Sequence, residues 1–258
     1  MDCVYLISSG LGDTFCATGA LNQYYQQTNK KLYVISNKPT LFSGQEYCEA
    51  SIDIKALNGD GDIHDSNRFK NFDKIHTLYW QSEKHLKGEL NITETYCDLL
   101  KVSLVKKPYY EFFINELNDF YITSKPYILV SFCNKNSSDV IHSDNKYLTL
   151  SQSSILIKKL KRDFPKYEII DLASVKASDY KHLIFAAAKC KTFVSVDTAL
   201  QHLCANHFYQ TKGIVLWNNK KNVNLYGYKE NINLVNDFVH PFNNYDIIKQ
   251  SINEILHT

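Results

Sequence analysis

Short apolar blocks of strand length alternate with longer stretches in which apolar positions recur at helical spacing. That alternation predicts a parallel α/β architecture. The first strand falls at 3–7, followed by a loop at 8–12 and a helix over 14–27 with a stripe of Phe15, Ala17, Leu21, Tyr24 and Tyr25. A second strand follows at 31–36, Pro39 opens a helix, a further strand falls at 75–80 and a helix at 93–101. Around 121–126 the pattern restarts with a strand at 127–132, a polar loop at 133–145 and a helix at 148–164 closed by Pro165. A strand at 167–172, a helix at 179–189, a strand at 192–196 running directly into a helix at Thr198, a strand at 213–217 and a terminal amphipathic helix at 245–256 complete the chain. The restart predicts two Rossmann-like domains, 1–122 and 123–258, hinged near 121–126. The competing reading is one continuous doubly wound sheet.

Composition narrows the class. With 258 residues, 44% hydrophobic and 13% aromatic, the chain has apolar material for one large core or two small ones, and disorder is excluded as its main state. No run approaches the ~20 apolar residues that span a bilayer. The start, Met1-Asp2-Cys3-Val4-Tyr5, lacks the basic region and cleavage site of a signal peptide, so a cytoplasmic location is expected. Net charge is +2, and arginine occurs only at Arg68 and Arg162. Without Arg forks or a basic concentration, nucleic acid is not expected as a partner, and Lys158-Lys159-Leu160-Lys161-Arg162 reads as a solvated helix face. The seven cysteines are scattered and form no C-x-x-C pair, so they read as small buried hydrophobes. The histidines form no metal-ligand pair; His202 and His207, five apart, do not share a helix face.

Two strand-to-helix junctions carry candidate chemistry, because helix N-termini beyond strand ends present unpaired N–H groups to ligands. The first is Ser8-Ser9-Gly10-Leu11-Gly12-Asp13-Thr14, whose glycines permit positive φ and close backbone approach. It is no dinucleotide fingerprint: the third glycine position is Phe15, and the second strand ends in Ser36-Asn37 without an acidic residue for a ribose. Asp13 reads either as a helix N-cap or as a reactive carboxylate. The second junction is Ser195-Val196-Asp197-Thr198-Ala199-Leu200-Gln201-His202. It reads either as a capped helix with a core-edge histidine or as an anion pocket in which N–H groups and the Thr198 hydroxyl face a phosphate. Asn58-Gly59-Asp60-Gly61-Asp62 contains a D-x-D, which reads either as a surface turn or as a divalent-cation site.

Gly10-Leu11-Gly12-Asp13-Thr14 with Ala17-Thr18-Gly19-Ala20-Leu21 resembles the N-terminal pattern of the ADP-heptose:lipopolysaccharide heptosyltransferases, glycosyltransferase family 9. Ser195-Val196-Asp197-Thr198-Ala199-Leu200-Gln201-His202-Leu203-Cys204-Ala205 is similar to that family's S-x-D-T-G-x-x-H motif, with Ala199 in place of its glycine. Lys146-Tyr147-Leu148 falls where the family has K-x-W-P. The resemblance implies a GT-B fold, two Rossmann-like domains facing each other across a cleft, with the acceptor side in the first and the nucleotide-sugar side in the second. It implies a metal-independent inverting glycosyltransferase with no cofactor, a nucleoside-diphosphate sugar as donor and a glycan or glycolipid acceptor at the inner membrane face.

In that scheme Asp13 is the general base, and Gly10, Gly12 and Thr14 form the acceptor-side loop. Lys146, Thr198, Ala199, Leu200 and His202 hold the donor diphosphate, while Asp197 caps its helix. The short chain and Ala199 also fit a GT-B-like nucleotide- or glycan-binding protein without transfer activity. An unrelated Rossmann-like methyltransferase using only the first glycine loop is a third reading.

Overall fold

The computed structural model describes residues 1–7, 10–57, 70–111, 123–133, 147–175, 180–235 and 242–257. The chain divides into two compact units: Met1–Phe112 with Asn206–Phe208, and Phe113–Ala205 with Tyr209–Thr258. The chain therefore carries two separate sheets and not the one continuous sheet of the competing reading. The division differs from a cut at 122 in two ways: the boundary falls between 112 and 113, and Asn206–Phe208 returns to the first unit. Asn206 is buried there, and its side-chain amide pairs with both backbone groups of Tyr110.

The first unit contains β1 (Asp2–Ile7), α1 (Leu11–Thr28), β2 (Leu32–Ser36), β3 (Cys48–Asp53), β4 (Lys74–Tyr79), α2 (Glu83–Leu86) and α3 (Ile92–Leu100). Its sheet is parallel, in the order β3-β2-β1-β4. β1 reads as a nearly continuous apolar run because both of its faces are covered. Cys3 and Tyr5 pack with Ile35 on one side. Pro39 starts only a 3₁₀ turn, Pro39–Leu41, rather than the expected helix. The α3 start carries a capping box between Asn91 and Glu94.

The second unit contains β5 (Tyr127–Ser131), α4 (Leu150–Asp163), β6 (Glu168–Asp171), α5 (Tyr180–Lys189), β7 (Thr192–Val196), α6 (Ala199–Cys204), β8 (Gly213–Trp217), α7 (Lys220–Tyr226), β9 (Ile232–Val235) and α8 (Tyr245–His257). Its five strands are parallel, in the order β6-β5-β7-β8-β9. Alternate residues of the central strands, such as Ile128, Val130, Val194 and Val196, share one core with α4 and α8. Tyr245 and Lys249 of α8 both reach Asp163 at the end of α4.

In each sheet the strand order reverses once, between β1 and β4 in the first unit and between β5 and β7 in the second. Helices leaving the two strands at a reversal go to opposite faces, opening a crevice beyond the strands' carboxyl ends. Among the described residues no helix is long and apolar enough to cross a membrane, and all seven cysteines are free.

Candidate functional site

In the first unit, the residues following β1 and β4 border the reversal point. β1 leads through Gly10 into α1, and β4 leads through Trp80 and Ser82 into α2. Asp13 lies in the first turn of α1 and is half-buried. The N-cap is Gly10 and not Asp13, with φ −82° and no side-chain cap bond. Neither Gly10 nor Gly12 has positive φ, so the expected conformational reason for glycine does not hold. The reason at Gly10 is space: a Cβ there would sit 2.7 Å from Asp13 Oδ2.

Gly12 and Thr14 are buried within α1. The Thr14 hydroxyl donates to the Gly10 carbonyl at 2.8 Å, so both residues belong to the helix rather than to a ligand-facing loop.

Three side chains from three other segments lie within electrostatic reach of Asp13. Lys38, just after β2, is only 8% exposed. Burial pulls its ammonium below the usual lysine value, and the Asp13 carboxylate opposes that pull. His85 of α2 is fully buried, and its Nδ1 lies 2.9 Å from the Leu90 carbonyl. Burial lowers its pKa, against the upward effects of Leu90 and Asp13. Tyr96 of α3 is raised well above the ordinary phenol value by burial first and by Asp13 second. Its hydroxyl has no hydrogen-bond partner among the described residues. Trp80 packs edge-on against His85, ring centroids 5.7 Å apart. The sequence reading named none of Lys38, His85 or Tyr96 as site residues, since nothing in their local spacing marks them.

In the second unit, β7 ends at Val196 and α6 starts at Ala199. The cap position falls on Thr198 and not on Asp197, and Thr198 makes no side-chain cap bond. Its buried Oγ1 has no partner among the described residues. Asp197 Oδ1 instead accepts from Gln201 Nε2 at 2.8 Å, bracing the turn against the helix. The Leu200 side chain is core, whereas Ala199 is partly open. His202 is almost fully buried, its Nδ1 2.9 Å from the Tyr228 hydroxyl. Tyr228 is a partner that the motif did not suggest. Lys146, Asp60 and Asp62 lie outside the described residues. Among the described residues no three His, Cys, Asp or Glu side chains group as a metal site.

No protein-family model matches the chain, and no curated protein matches it either. Solved structures do. The E. coli ADP-heptose LPS heptosyltransferase II aligns with TM-score 0.66 and 14% identity over 100% of this chain and 98% of that one. The E. coli heptosyltransferase WaaC with ADP aligns with TM-score 0.62 and 16% identity over 99% and 100% of the two chains. The iron-containing dodecameric glycosyltransferase TibC from enterotoxigenic E. coli aligns with TM-score 0.63 and 9% identity over 99% and 75%. At these identities the likeness establishes the fold: this chain has the two-sheet α/β fold of those transferases.

Proposed function

We propose that the chain is a heptosyltransferase-like glycosyltransferase, moving a sugar from a nucleoside-diphosphate sugar to a surface-glycan acceptor with inversion and without a metal ion. The observation that carries this reading is the Asp13 carboxylate beyond the β1/β4 reversal, within reach of Lys38, His85 and Tyr96, in a chain with the fold of ADP-heptose enzymes. Asp13 takes the proton of the acceptor hydroxyl as the new C–O bond forms at the anomeric carbon. The electron pair of the old C–O bond leaves with the diphosphate. The backbone N–H groups of the β7–α6 turn, the Thr198 hydroxyl and Lys146 stabilise that charge without reorganisation. The buried Thr198 Oγ1, which has no partner among the described residues, supports this assignment. ADP is the expected donor nucleotide, and the inner membrane face is where a glycolipid acceptor would be met.

A thermal-shift panel of ADP, GDP, UDP, CDP, NAD and S-adenosyl-methionine, each with and without EDTA, tests the reading. Ligand at ~100 Kd stabilises by ~2.7 kcal/mol, which is visible. A shift with ADP that survives EDTA and weakens in Thr198→Val is expected. A response to S-adenosyl-methionine alone overturns the proposal, and an EDTA-sensitive shift overturns its metal independence, a pointed question given the iron in TibC. Ala199, where the motif has glycine, favours binding without transfer as the second reading. ADP binding with no nucleotide release across an acceptor panel would select it.

A further inference from the structure

We infer that Tyr228 is a positioning residue for His202: its hydroxyl donates to Nδ1, which holds the imidazole in one orientation and places the ring proton on Nε2. The inference rests on the functional reading above, which sets the donor diphosphate at the β7–α6 turn, and adds a residue to it. His202 follows Thr198 by four residues, about one turn of helix, so the two share a side of α6. The His202 Nδ1 lies 2.9 Å from the Tyr228 hydroxyl, and the two rings meet edge-on with centroids 5.7 Å apart. Both side chains are buried.

Tyr228 is the fixed member of the pair. It lies in the connection from α7 to β9, where its carbonyl accepts from the Asn231 N–H at 3.1 Å and from Asn233 Nδ2 at 2.9 Å. Asn233 is oriented in turn by Trp217, whose indole Nε1 donates to Asn233 Oδ1 at 2.8 Å. Just before the tyrosine, a Cβ at Gly227 would stand 2.6 Å from the Val223 carbonyl oxygen and 3.2 Å from Asn233 Oδ1. The backbone is thus held from α7, β8 and β9, and the hydroxyl reaches across to α6. A neutral imidazole has one donor and one acceptor nitrogen, and the partner of one decides the proton on the other. A phenol is a stronger acid than an imidazole N–H, so the favoured bond runs from the Tyr228 O–H to Nδ1. The oxygens of an ionised diphosphate only accept, and Nε2–H is the tautomer that donates to them; the other would turn a lone pair toward the charge.

The test combines a nucleotide titration with a readout that needs no ligand. Tyr228→Phe removes one hydroxyl and keeps the ring. In ¹⁵N-histidine-labelled wild type, the neutral His202 ring carries its proton on Nε2, and in Tyr228→Phe the two tautomers mix. A wild-type proton on Nδ1, or a tautomer unchanged in Tyr228→Phe, overturns the inference. ADP affinity, read by calorimetry, falls about tenfold in Tyr228→Phe, the worth of one buried hydrogen bond. His202→Asn keeps a polar atom near the Nδ1 position and lacks Nε2, and in that background Tyr228→Phe has no further effect on ADP. Losses that multiply in the double variant, or an unchanged ADP affinity in Tyr228→Phe, overturn it as well. If wild type binds no nucleoside diphosphate, the functional reading fails alone, and the tautomer still decides whether Tyr228 governs His202.

Discussion

The carboxylate of Asp13 occupies the space that a side chain at Gly10 would need, with Oδ2 2.7 Å from the position of a Cβ there. The φ of Gly10 is ordinary for any L-residue, so its glycine reflects the Asp13 side chain and not the backbone. Gly10→Ala therefore displaces the free end of a flexible side chain, which costs little fold stability. The expected outcome is a change in unfolding free energy below about 1 kcal/mol with a loss of transfer rate of at least about tenfold, or 1.4 kcal/mol. Urea unfolding and kcat on the same preparation check the split. Equal losses in both would count against Asp13 as the base.

Gly19 obeys the opposite logic. In mid-helix, alanine is intrinsically better than glycine by about 1 kcal/mol. Here a Cβ would lie 2.3 Å from the Lys107 carbonyl oxygen and 2.8 Å from Thr93 Cγ2. Backbone cannot step aside as a carboxylate can, and the same stretch of chain is held by the Tyr109 N–H donating to Thr18 Oγ1 at 3.1 Å. Gly19→Ala is expected to destabilise by about 1–3 kcal/mol through overpacking, read as a lower urea midpoint at unchanged m-value.

Asn206 satisfies a buried peptide unit that lies far away in sequence. Its Oδ1 accepts from the Tyr110 N–H at 2.9 Å, and its Nδ2 donates to the Tyr110 carbonyl at 2.8 Å. Asn206→Ala removes both of these bonds from a buried peptide unit, for an expected loss of about 2–4 kcal/mol. Asn206→Asp keeps an acceptor for the N–H but sets a carboxylate against the carbonyl, so it should not rescue. Chemical denaturation of the two variants decides this.

Two buried histidines give the fold a pH dependence with a definite sign. Burial lowers His76 and His85 below the 6.5 of a free imidazole. Between the native values and 6.5 the unfolded chain binds more protons than the folded one. Stability is therefore full above about pH 6.5 and falls as the pH drops through that window, by up to about 1.4 kcal/mol per pH unit for each group. His76→Phe keeps a ring against Tyr24, whose centroid is 5.3 Å away, and should flatten part of the slope. Urea midpoints between pH 8 and 5 measure it, and identical slopes in both proteins would refute the assignment.

The strands that the apolar pattern marks are those buried on both faces, such as β5, β7 and β8, since a doubly covered parallel strand is written in uninterrupted apolar residues. β3 and β9 escaped notice because both are sheet edges, largely part-exposed, and their sequences Cys-Glu-Ala-Ser-Ile-Asp and Ile-Asn-Leu-Val lack that signature. The short helices α2 and α7 are mostly polar and carry no long stripe. The restart near 121–126 did signal two units, yet the excursion of Asn206–Phe208 did not show, because three residues carry no periodicity.

The two glycine- and aspartate-bearing junctions were legible for a local reason: a strand end, a tight turn and a helix start all lie within about ten residues of chain. The company each junction keeps was decided elsewhere. Lys38, His85 and Tyr96 approach Asp13 from segments 25, 72 and 83 positions away by subtraction of their residue numbers, and Tyr228 meets His202 from 26 away. Hydrophobic periodicity determines which segments become strands and helices, because burial of each face is a nearest-neighbour matter of 2.0- or 3.6-residue repeats. Strand order is set by which long-range pairings close the sheet with both faces covered. That order, β3-β2-β1-β4, is what sets the segment after β2, with Lys38, next to the segment after β1.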